Sequence, residues 1–288
     1  MANATPKMDT KAANEGDKLK HALLLEVVGR CTAWESLTYA ETHAGAGIYH
    51  SADQDAEKPH IARLHELVAS VAAEPAEQTA GGRYFRLLRK WWACNERRDS
   101  YPGSILQVVQ FLSARNINAQ FRVVEAHKPT FDRLAMGLQA YAVIPQHDKF
   151  QNRIAWLTEN DRLVLLIDPL SFQEDFDEDR DPRLNDGGID IPTIATLLEP
   201  CWRKRSAMVL FWCGFGHARG RVKKGIAYGW LKCICEQNNA GLRCFRDSRC
   251  HNLFVIGIGQ GKDIAGQLGE LDWPNSWLAK TVRGGLGG

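Results

Sequence analysis

Five short apolar runs, most of them separated by stretches with helical periodicity, constrain the fold of this chain more than any other feature. They occupy residues 37–40, 120–125, 141–144, 162–168 and 207–212. Continuous apolar runs of this length are typical of strands that are covered on both faces in a parallel sheet. The sequence therefore predicts a doubly wound α/β fold. Two further runs, residues 242–245 and 252–258, are predicted to close a seven-stranded sheet as an antiparallel edge.

Helical patterns lie before the first run and after it. Residues 18–30 carry a broad apolar stripe, which predicts a helix that ends near Gly29. Between residues 50 and 100, β-branched residues become scarce and two helical segments appear, so we predict a helical insertion after the first strand. The expected organisation is one main domain over residues 16–275, with a loosely ordered start at 1–15 and a flexible tail at 276–288.

Composition excludes several classes of protein. The 288 residues include 36 basic and 34 acidic side chains, a formal net charge of +2. No bulk positive field therefore attracts nucleic acid or an anionic membrane, and a polyanion would need a local basic patch. The start of the chain lacks the apolar core of a signal peptide and no apolar run has the length of a membrane span, so we expect a cytoplasmic protein.

The eight cysteines are expected to be reduced thiols, because no secretory signal accompanies them. Four of them, together with His251, cluster late in the chain. Cys233 and Cys235 are two positions apart on a predicted helix and point to different faces, which disfavours a zinc site. We therefore expect no metal centre.

The first predicted strand ends in Glu41 and continues into a glycine turn. Gly45 and Gly47 would let the backbone pass close to a ligand without a Cβ clash. The third glycine of the dinucleotide fingerprint is absent. The turn is thus compatible with a nucleotide or S-adenosylmethionine pocket, or with an ordinary connection from strand to helix.

The other predicted strands also end in polar residues. Glu125 ends the second, His147 and Asp148 follow the third, and Asp168 and Pro169 end the fourth. Ligands of such folds lie outside the carboxyl ends of the strands. Glu125 could accept ribose hydroxyls or cap the next helix, and Asp148 could accept from an adenine amine. For each residue a solvated loop is the alternative.

Six segments of the chain occur in the order and at the spacing of one known family: Gly16-Asp-Lys-Leu-Lys-His21, Thr42-His-Ala-Gly-Ala-Gly47, Tyr101-Pro-Gly-Ser104, Glu125-Ala-His127, His147-Asp148 and Ile167-Asp-Pro169. Through them the chain resembles the RlmJ family, bacterial S-adenosylmethionine-dependent methyltransferases that act on the N6 amine of an adenine in large-subunit ribosomal RNA. The resemblance spans roughly residues 14–260.

This resemblance implies a class I methyltransferase fold, S-adenosylmethionine as cofactor and Asp168 as a catalytic residue. The side chains that it implies as cofactor contacts are Lys20, His21, His43, Ser104, Glu125 and Asp148. We add Gly45, Gly47, His147 and Asp168 to the predicted cofactor site. Taken from the residues alone, Lys20 would be a solvated helix residue and His21 a packed core histidine.

The chemistry agrees with these roles. The carboxylate of S-adenosylmethionine suits Lys20, His21 or the amides of the turn, and its ribose suits Glu125. An adenine amine is a poor nucleophile because its lone pair is delocalised into the ring. Asp168 and the carbonyl of Pro169 would accept its hydrogens and align the nitrogen with the methyl group.

The sequence departs from the family after Pro169. There the family has a second proline and an aromatic residue that stacks on the extruded base, whereas this chain has Leu170 and Ser171. Phe172, one place later, is the candidate stacking surface, with a core role as the alternative. The family's aromatic and histidine-rich start has no counterpart here, and the acidic run at residues 174–179 would repel phosphates.

Two basic clusters are candidates for binding nucleic acid. The first surrounds Trp91 and Trp92, and either holds phosphates and bases or is a solvated face over buried tryptophans; its members are Arg83, Arg86, Arg89, Lys90, Arg97 and Arg98. The second is a loop-like strip that we predict to bind substrate: Arg219, Arg221, Lys223 and Lys224.

Together these features predict a methyltransferase that modifies an amino nitrogen of a nucleic acid, with RNA favoured over DNA. Two alternatives stay open. One is a noncatalytic cofactor-binding or regulatory protein that has lost the amine-positioning motif. The other is a methyltransferase with a small-molecule or protein acceptor.

Overall fold

A computed structural model of the protein describes residues 12–54, 59–70, 80–169, 171–173, 188–213, 220–246 and 252–268. The α-helices are α1 (Glu15–Cys31), α2 (His60–Ser70), α3 (Ala80–Trp92), α4 (Ser104–Ser113), α5 (Lys128–Leu138), α6 (Ile191–Leu198), α7 (Gly220–Gln237) and α8 (Gly261–Leu268). The strands are β1 (Leu37–Glu41), β2 (Ile48–His50), β3 (Ser100–Pro102), β4 (Ala119–Glu125), β5 (Gln146–His147), β6 (Arg162–Ile167), β7 (Ser171–Gln173), β8 (Gly188–Asp190), β9 (Ser206–Cys213), β10 (Gly241–Arg246) and β11 (Asn252–Gly259).

Seven strands form one mostly parallel sheet in the order β10-β11-β9-β6-β1-β4-β5. Only β11 runs against its neighbours β9 and β10, which confirms the predicted antiparallel edge. The chain moves from β1 outward to β4 and β5, then crosses to β6 on the other side of β1. The strand order therefore reverses between β1 and β6, and such a reversal leaves a crevice outside the carboxyl ends of the strands.

Both faces of the sheet are covered, as the continuous apolar runs predicted. Alternate residues of β6 enter opposite cores. Val164 and Leu166 pack in the core with α1, α3 and α4. Leu165 and Ile167 pack in the core with α6 and α7. The residue that follows β6 should therefore return to the face of the sheet that α1 covers.

The helical insertion lies after β1 as predicted, with α2 and α3 inside it. A short antiparallel ribbon of β2 and β3, which the sequence analysis did not predict, closes its base. Glu26 of α1 is 1% exposed and anchors the insertion, because it pairs with Arg30 at 2.7 Å and with Arg83 of α3. A buried carboxylate paired in this way holds the two helices in one register.

The prediction of a strand at residues 141–144 is wrong. Residues 141 and 142 belong to a turn after α5, residues 143 and 144 have no regular structure, and Ile144 is 78% exposed. The strand beside β4 is Gln146–His147 instead. Pro145 lacks the backbone donor that a ladder requires, so pairing begins only after it. Of this run only Val143 is buried, so its apolar composition did not indicate a strand covered on both faces.

The second basic cluster is not a loop, because α7 begins at Gly220 and includes Arg221, Lys223 and Lys224. Arg219 lies outside the described residues. In the first cluster, Trp91 and Trp92 are buried, so their rings are not exposed for base stacking. Arg83 pairs with Glu26, whereas Lys90, Arg97 and Arg98 are exposed. The indole nitrogens donate to Ser100, at 3.1 Å to its hydroxyl and 2.7 Å to its carbonyl.

The thiol cluster divides as the helical spacing predicted, with Cys233 exposed and Cys235 buried on α7. Cys250 and His251 lie outside the described residues. In the part of the chain that the structure describes, no three potential ligands gather around a metal position. None of the helices in that part is both long and apolar enough to cross a membrane.

Candidate active site at the carboxyl ends of the strands

A buried lysine connects α1 to the residue that follows β6. Lys20 Nζ lies 2.5 Å from Asp168 Oδ2 and 2.9 Å from Asp17 Oδ1, and the side chain is 7% exposed. Burial opposes the charge of the ammonium, but the two carboxylates outweigh it and hold the pKa of Lys20 well above its usual value. The lysine therefore stays charged and fixes the orientation of Asp168.

Asp168 keeps one carboxylate oxygen available. Its side chain is 15% exposed, and burial raises its pKa against the opposing effect of Lys20. Oδ2 accepts from Lys20, whereas Oδ1 has no hydrogen-bond partner among the described residues. Pro169, the next residue, is buried. The carboxylate of Asp168 is therefore a hydrogen-bond acceptor held in a fixed position at the end of β6.

Glu41, the last residue of β1, is a second buried acid in the same crevice. It accepts from the hydroxyls of Tyr39, at 3.0 Å, and Ser104. Burial raises the pKa of Glu41 to about 8, the Ser104 hydrogen bond opposes this and nearby Asp168 adds to it. Glu41 is therefore mostly neutral at pH 7, beside a charged Lys20–Asp168 pair.

The glycine turn rises directly from β1 between its two neighbours. Thr42 N donates to Leu166 O of β6 and Ala44 N to Val124 O of β4, both at 3.1 Å. Gly45 and Gly47 have φ values of +65° and +73°, in the left-handed region that glycine adopts without strain. The turn therefore places bare backbone over the point where the strand order reverses.

Glu125 holds this turn to the end of β4. Its Oε2 accepts from Gly45 N at 3.0 Å and its Oε1 from His127 N at 2.8 Å. Burial raises the pKa of Glu125, and the two backbone hydrogen bonds oppose that rise. Each oxygen retains a second lone pair, so the carboxylate can also accept ligand hydroxyls.

His21 packs as a core histidine with one ring nitrogen engaged. Its Nδ1 lies 2.5 Å from the Tyr101 hydroxyl and 2.9 Å from Gln107 Nε2, and it stacks on the Tyr101 ring. Burial, with a contribution from Lys20, lowers the pKa of His21 to about 3. The ring is neutral, and its Nε2 has no partner within the described part of the chain.

The outer part of the site, toward β5, is more open. His43 Nδ1 lies 2.7 Å from Thr42 Oγ1, and burial lowers the pKa of His43 to about 4. Asp148 accepts from Lys149 N and Asn152 at 2.8 Å and from Arg153 at 2.7 Å, so most of its acceptor capacity is used by its own loop.

His147 is exposed, and its Nε2 lies 3.1 Å from the carbonyl of Ala126. Three direct contacts hold residues at the carboxyl ends of the strands: Lys20–Asp168, Gly45–Glu125 and Ser104–Glu41. Glu41 is also close enough to Asp168 for the charge of that residue to raise its pKa, whereas His147 lies at the margin of the site.

The side chains predicted to bind substrate all lie outside the part of the chain that the structure describes. Phe172 lies on β7, and its side chain is outside the described part of the chain, as are those of Arg221, Lys223 and Lys224 on α7. The acidic run at residues 174–179 also lies outside it.

Sequence reasoning missed several members of the site. Asp17 precedes Lys20 by three positions, a helical spacing that could have indicated the ion pair. Trp212 was assigned only to a buried strand, yet it is partly buried beside Lys20. The others are Tyr39, Tyr101 and Gln107, which support Glu41 and His21. Their roles depend on contacts between distant segments.

No family model matches the sequence, and no curated protein matches it. Among solved structures, the chain is similar to the crystal structure of protein LPL1258 from Legionella pneumophila str. Philadelphia 1, which is described with family model DUF519. The two share 17% identity and a TM-score of 0.59 over 92% of this chain and 95% of the other. At this identity the likeness establishes the fold alone, a Rossmann-like α/β fold with a mostly parallel seven-stranded sheet.

Proposed function

We propose that this protein is an S-adenosylmethionine-dependent methyltransferase that modifies an amino nitrogen. The observation that carries this proposal is the geometry of Asp168. It is held by buried Lys20, presents a free Oδ1 and lies at the reversal of strand order. The sheet order, with one reversed strand next to β9, agrees with a class I methyltransferase fold.

The residues of the crevice fit the parts of the cofactor. Glu125 retains acceptor capacity for the two ribose hydroxyls, and the glycine turn offers backbone amides close to that carboxylate. The neutral ring of His21 adds a polar nitrogen. Lys20 already serves Asp168 and Asp17, so we assign it to positioning Asp168 rather than to the cofactor carboxylate.

The reaction needs a positioned amine more than a strong base. The bound cofactor supplies an electrophilic methyl group on its sulfonium. Asp168 Oδ1 accepts a hydrogen bond from the amine and directs the nitrogen lone pair at that methyl carbon. The cofactor would give up its methyl group and keep the electron pair of the broken carbon–sulfur bond, and Asp168 would pass the proton lost by the nitrogen to water.

Among amine acceptors, we propose a nucleic acid base, with RNA favoured over DNA. The face of the insertion that carries Lys90, Arg97 and Arg98 is exposed and basic, which suits backbone phosphates. Because the tryptophans beneath this face are buried, it serves phosphate rather than base contacts. The base must then be held nearer to Asp168.

Two measurements test the proposal. Calorimetric titration with S-adenosylmethionine and S-adenosylhomocysteine should show stoichiometric binding, and absence of binding by either would refute it. Incubation with methyl-labelled cofactor and separate pools of RNA, DNA and metabolites should then place the label in RNA. Binding without any transfer of label would favour a noncatalytic protein. Label in metabolites or protein would show that the methyl acceptor is not a nucleic acid.

A further inference from the structure

We propose that Trp212 is the surface on which the planar ring of the methyl acceptor stacks beside Asp168. The inference rests on the proposed function and specifies its acceptor side, an aromatic amine of nucleobase size. It also explains how the chain can work with Leu170 and Ser171 after Pro169, because the neighbouring strand supplies the aromatic group.

The register of the sheet places Trp212 next to Asp168. Strands β6 and β9 are parallel, and Ile167 is paired with Phe211 as the last pair of their ladder. The next residue on each strand is Asp168 and Trp212, respectively. Strand separation is about 4.8 Å, so the two backbones remain neighbours at this position.

Both side chains also face the same side of the sheet. Leu166 and Leu210 pack in the core beneath α1, whereas Ile167 and Phe211 pack in the opposite core. Alternation returns Asp168 and Trp212 to the side of α1.

Lys20 confirms this orientation. Its Nζ lies 2.5 Å from Asp168 Oδ2 and 6.0 Å from the centre of the Trp212 ring. A single ammonium group therefore contacts the carboxylate of Asp168 and lies near the indole of Trp212.

The indole is held by a close backbone contact. Gly16 lies against its six-membered ring, and a Cβ at that position would be 2.6 Å from Trp212 Cζ2. Yet Trp212 is only partly buried, in contrast to Phe211 and Cys213 on either side of it. A large aromatic side chain that is held against Gly16 and only partly buried, beside the Oδ1 of Asp168, suits stacking of a flat ring.

Binding of a short RNA tests the role of Trp212. The probe is fluorescently labelled hexa-adenylate RNA, and its anisotropy is measured with saturating S-adenosylhomocysteine. Trp212→Leu should weaken binding roughly ten-fold or more, the loss expected for one base–aromatic stack, whereas Trp212→Phe should weaken it less than about three-fold. The matched control is Trp202→Leu, a partly buried tryptophan that precedes β9 at the opposite end of the sheet.

A second variant addresses the position of the ring without removing it. Gly16→Ala should displace the indole through the clash with Cζ2 and should weaken RNA binding in the same direction as Trp212→Leu. Circular dichroism checks that each variant is folded, and calorimetry checks that each still binds S-adenosylhomocysteine.

The outcomes separate the inference from the proposed function. Wild-type affinity for RNA in a folded Trp212→Leu protein would overturn the inference, and so would an equal loss in Trp202→Leu. A wild-type protein that binds S-adenosylmethionine but not hexa-adenylate would overturn it too, while the methyl-donor site would stand. Failure to bind S-adenosylmethionine would instead refute the proposed function itself.

Discussion

Lys20 Nζ and Asp168 Oδ2 lie 2.5 Å apart although 148 residues separate them in the sequence. The pair joins the first helix to the end of a central strand at the reversal of strand order. Asp17 shares the same ammonium, so one buried cation serves two carboxylates. The stability of the fold and the geometry of the candidate active site therefore depend on the same contact.

Replacing Lys20 by methionine should destabilise the protein. The variant keeps the length of the side chain but leaves Asp17 and Asp168 without their cation, and loss of one partner of a buried pair costs about 3–5 kcal/mol. Urea unfolding measures the effect. The matched control is Lys128→Met, which removes the cation of the exposed Lys128–Asp132 pair and should cost less than about 1 kcal/mol. Equal stabilities of the two variants would contradict the prediction.

Replacing Asp168 by asparagine should abolish most of the proposed methyl transfer. The amide retains the shape of the carboxylate but lacks its charge and basicity, so we expect a loss of kcat of roughly 10²- to 10⁴-fold with little change in affinity for S-adenosylmethionine. Label transfer and calorimetry measure the two quantities. Asp132→Asn, on the exposed face of α5, is the control. Full activity in Asp168→Asn would show that this carboxylate does not position the acceptor.

Much of the fold could be predicted because two-sided burial leaves a plain signal in the sequence. The runs that became β6, β9 and β11 are almost continuously apolar, and each is paired on both sides inside the sheet. Edge elements are different. β5 has only two residues, and β2 and β3 form a ribbon outside the main sheet. Such short strands form because of pairing with segments distant in the sequence, and hydrophobic periodicity within the segment does not predict that pairing.

The candidate site, like the fold, could be predicted only in part from the sequence. The rule that ligands lie at the carboxyl ends of strands brought Glu125 and Asp168 to one edge from sequence alone. The burial of Lys20 was not foreseen, because a lysine on a helix is ordinarily solvated. Its partner Asp168 lies in a distant segment, and only the packing of α1 over β6 brings the two together. The importance of Trp212 was missed for the same reason.

The stability contributed by Glu41 should depend on pH. Its pKa is about 8 in the folded protein against a reference value of 4.5, because burial favours the neutral acid. The folded state therefore binds more protons than the unfolded state between these values, and stability should fall as pH rises through this range. Above about pH 8 the loss is complete.

Glu41→Gln removes this titration and keeps a neutral polar group. The stability of the variant relative to wild type should therefore rise from pH 5 to pH 8, by up to about 1.4 kcal/mol for each pH unit. Urea unfolding of both proteins at several pH values measures the difference. Glu35→Gln, at a side chain that is 88% exposed, controls for the loss of one carboxyl group. A difference that stays constant with pH would contradict the prediction.

Gly47 should tolerate no side chain, since its φ of +73° lies in the left-handed region and a Cβ would be 3.0 Å from Leu134 Cδ1. We expect Gly47→Ala to cost about 1–2 kcal/mol of stability. It should also weaken binding of S-adenosylmethionine, because Gly47 O accepts from Gly103 N at 2.6 Å and the turn must move. Gly229→Ala on α7 meets no atom within 4 Å and should be neutral or stabilising. Urea unfolding and calorimetry compare the two variants. Unchanged affinity for S-adenosylmethionine in a destabilised Gly47→Ala protein would show that the turn does not contribute to cofactor binding.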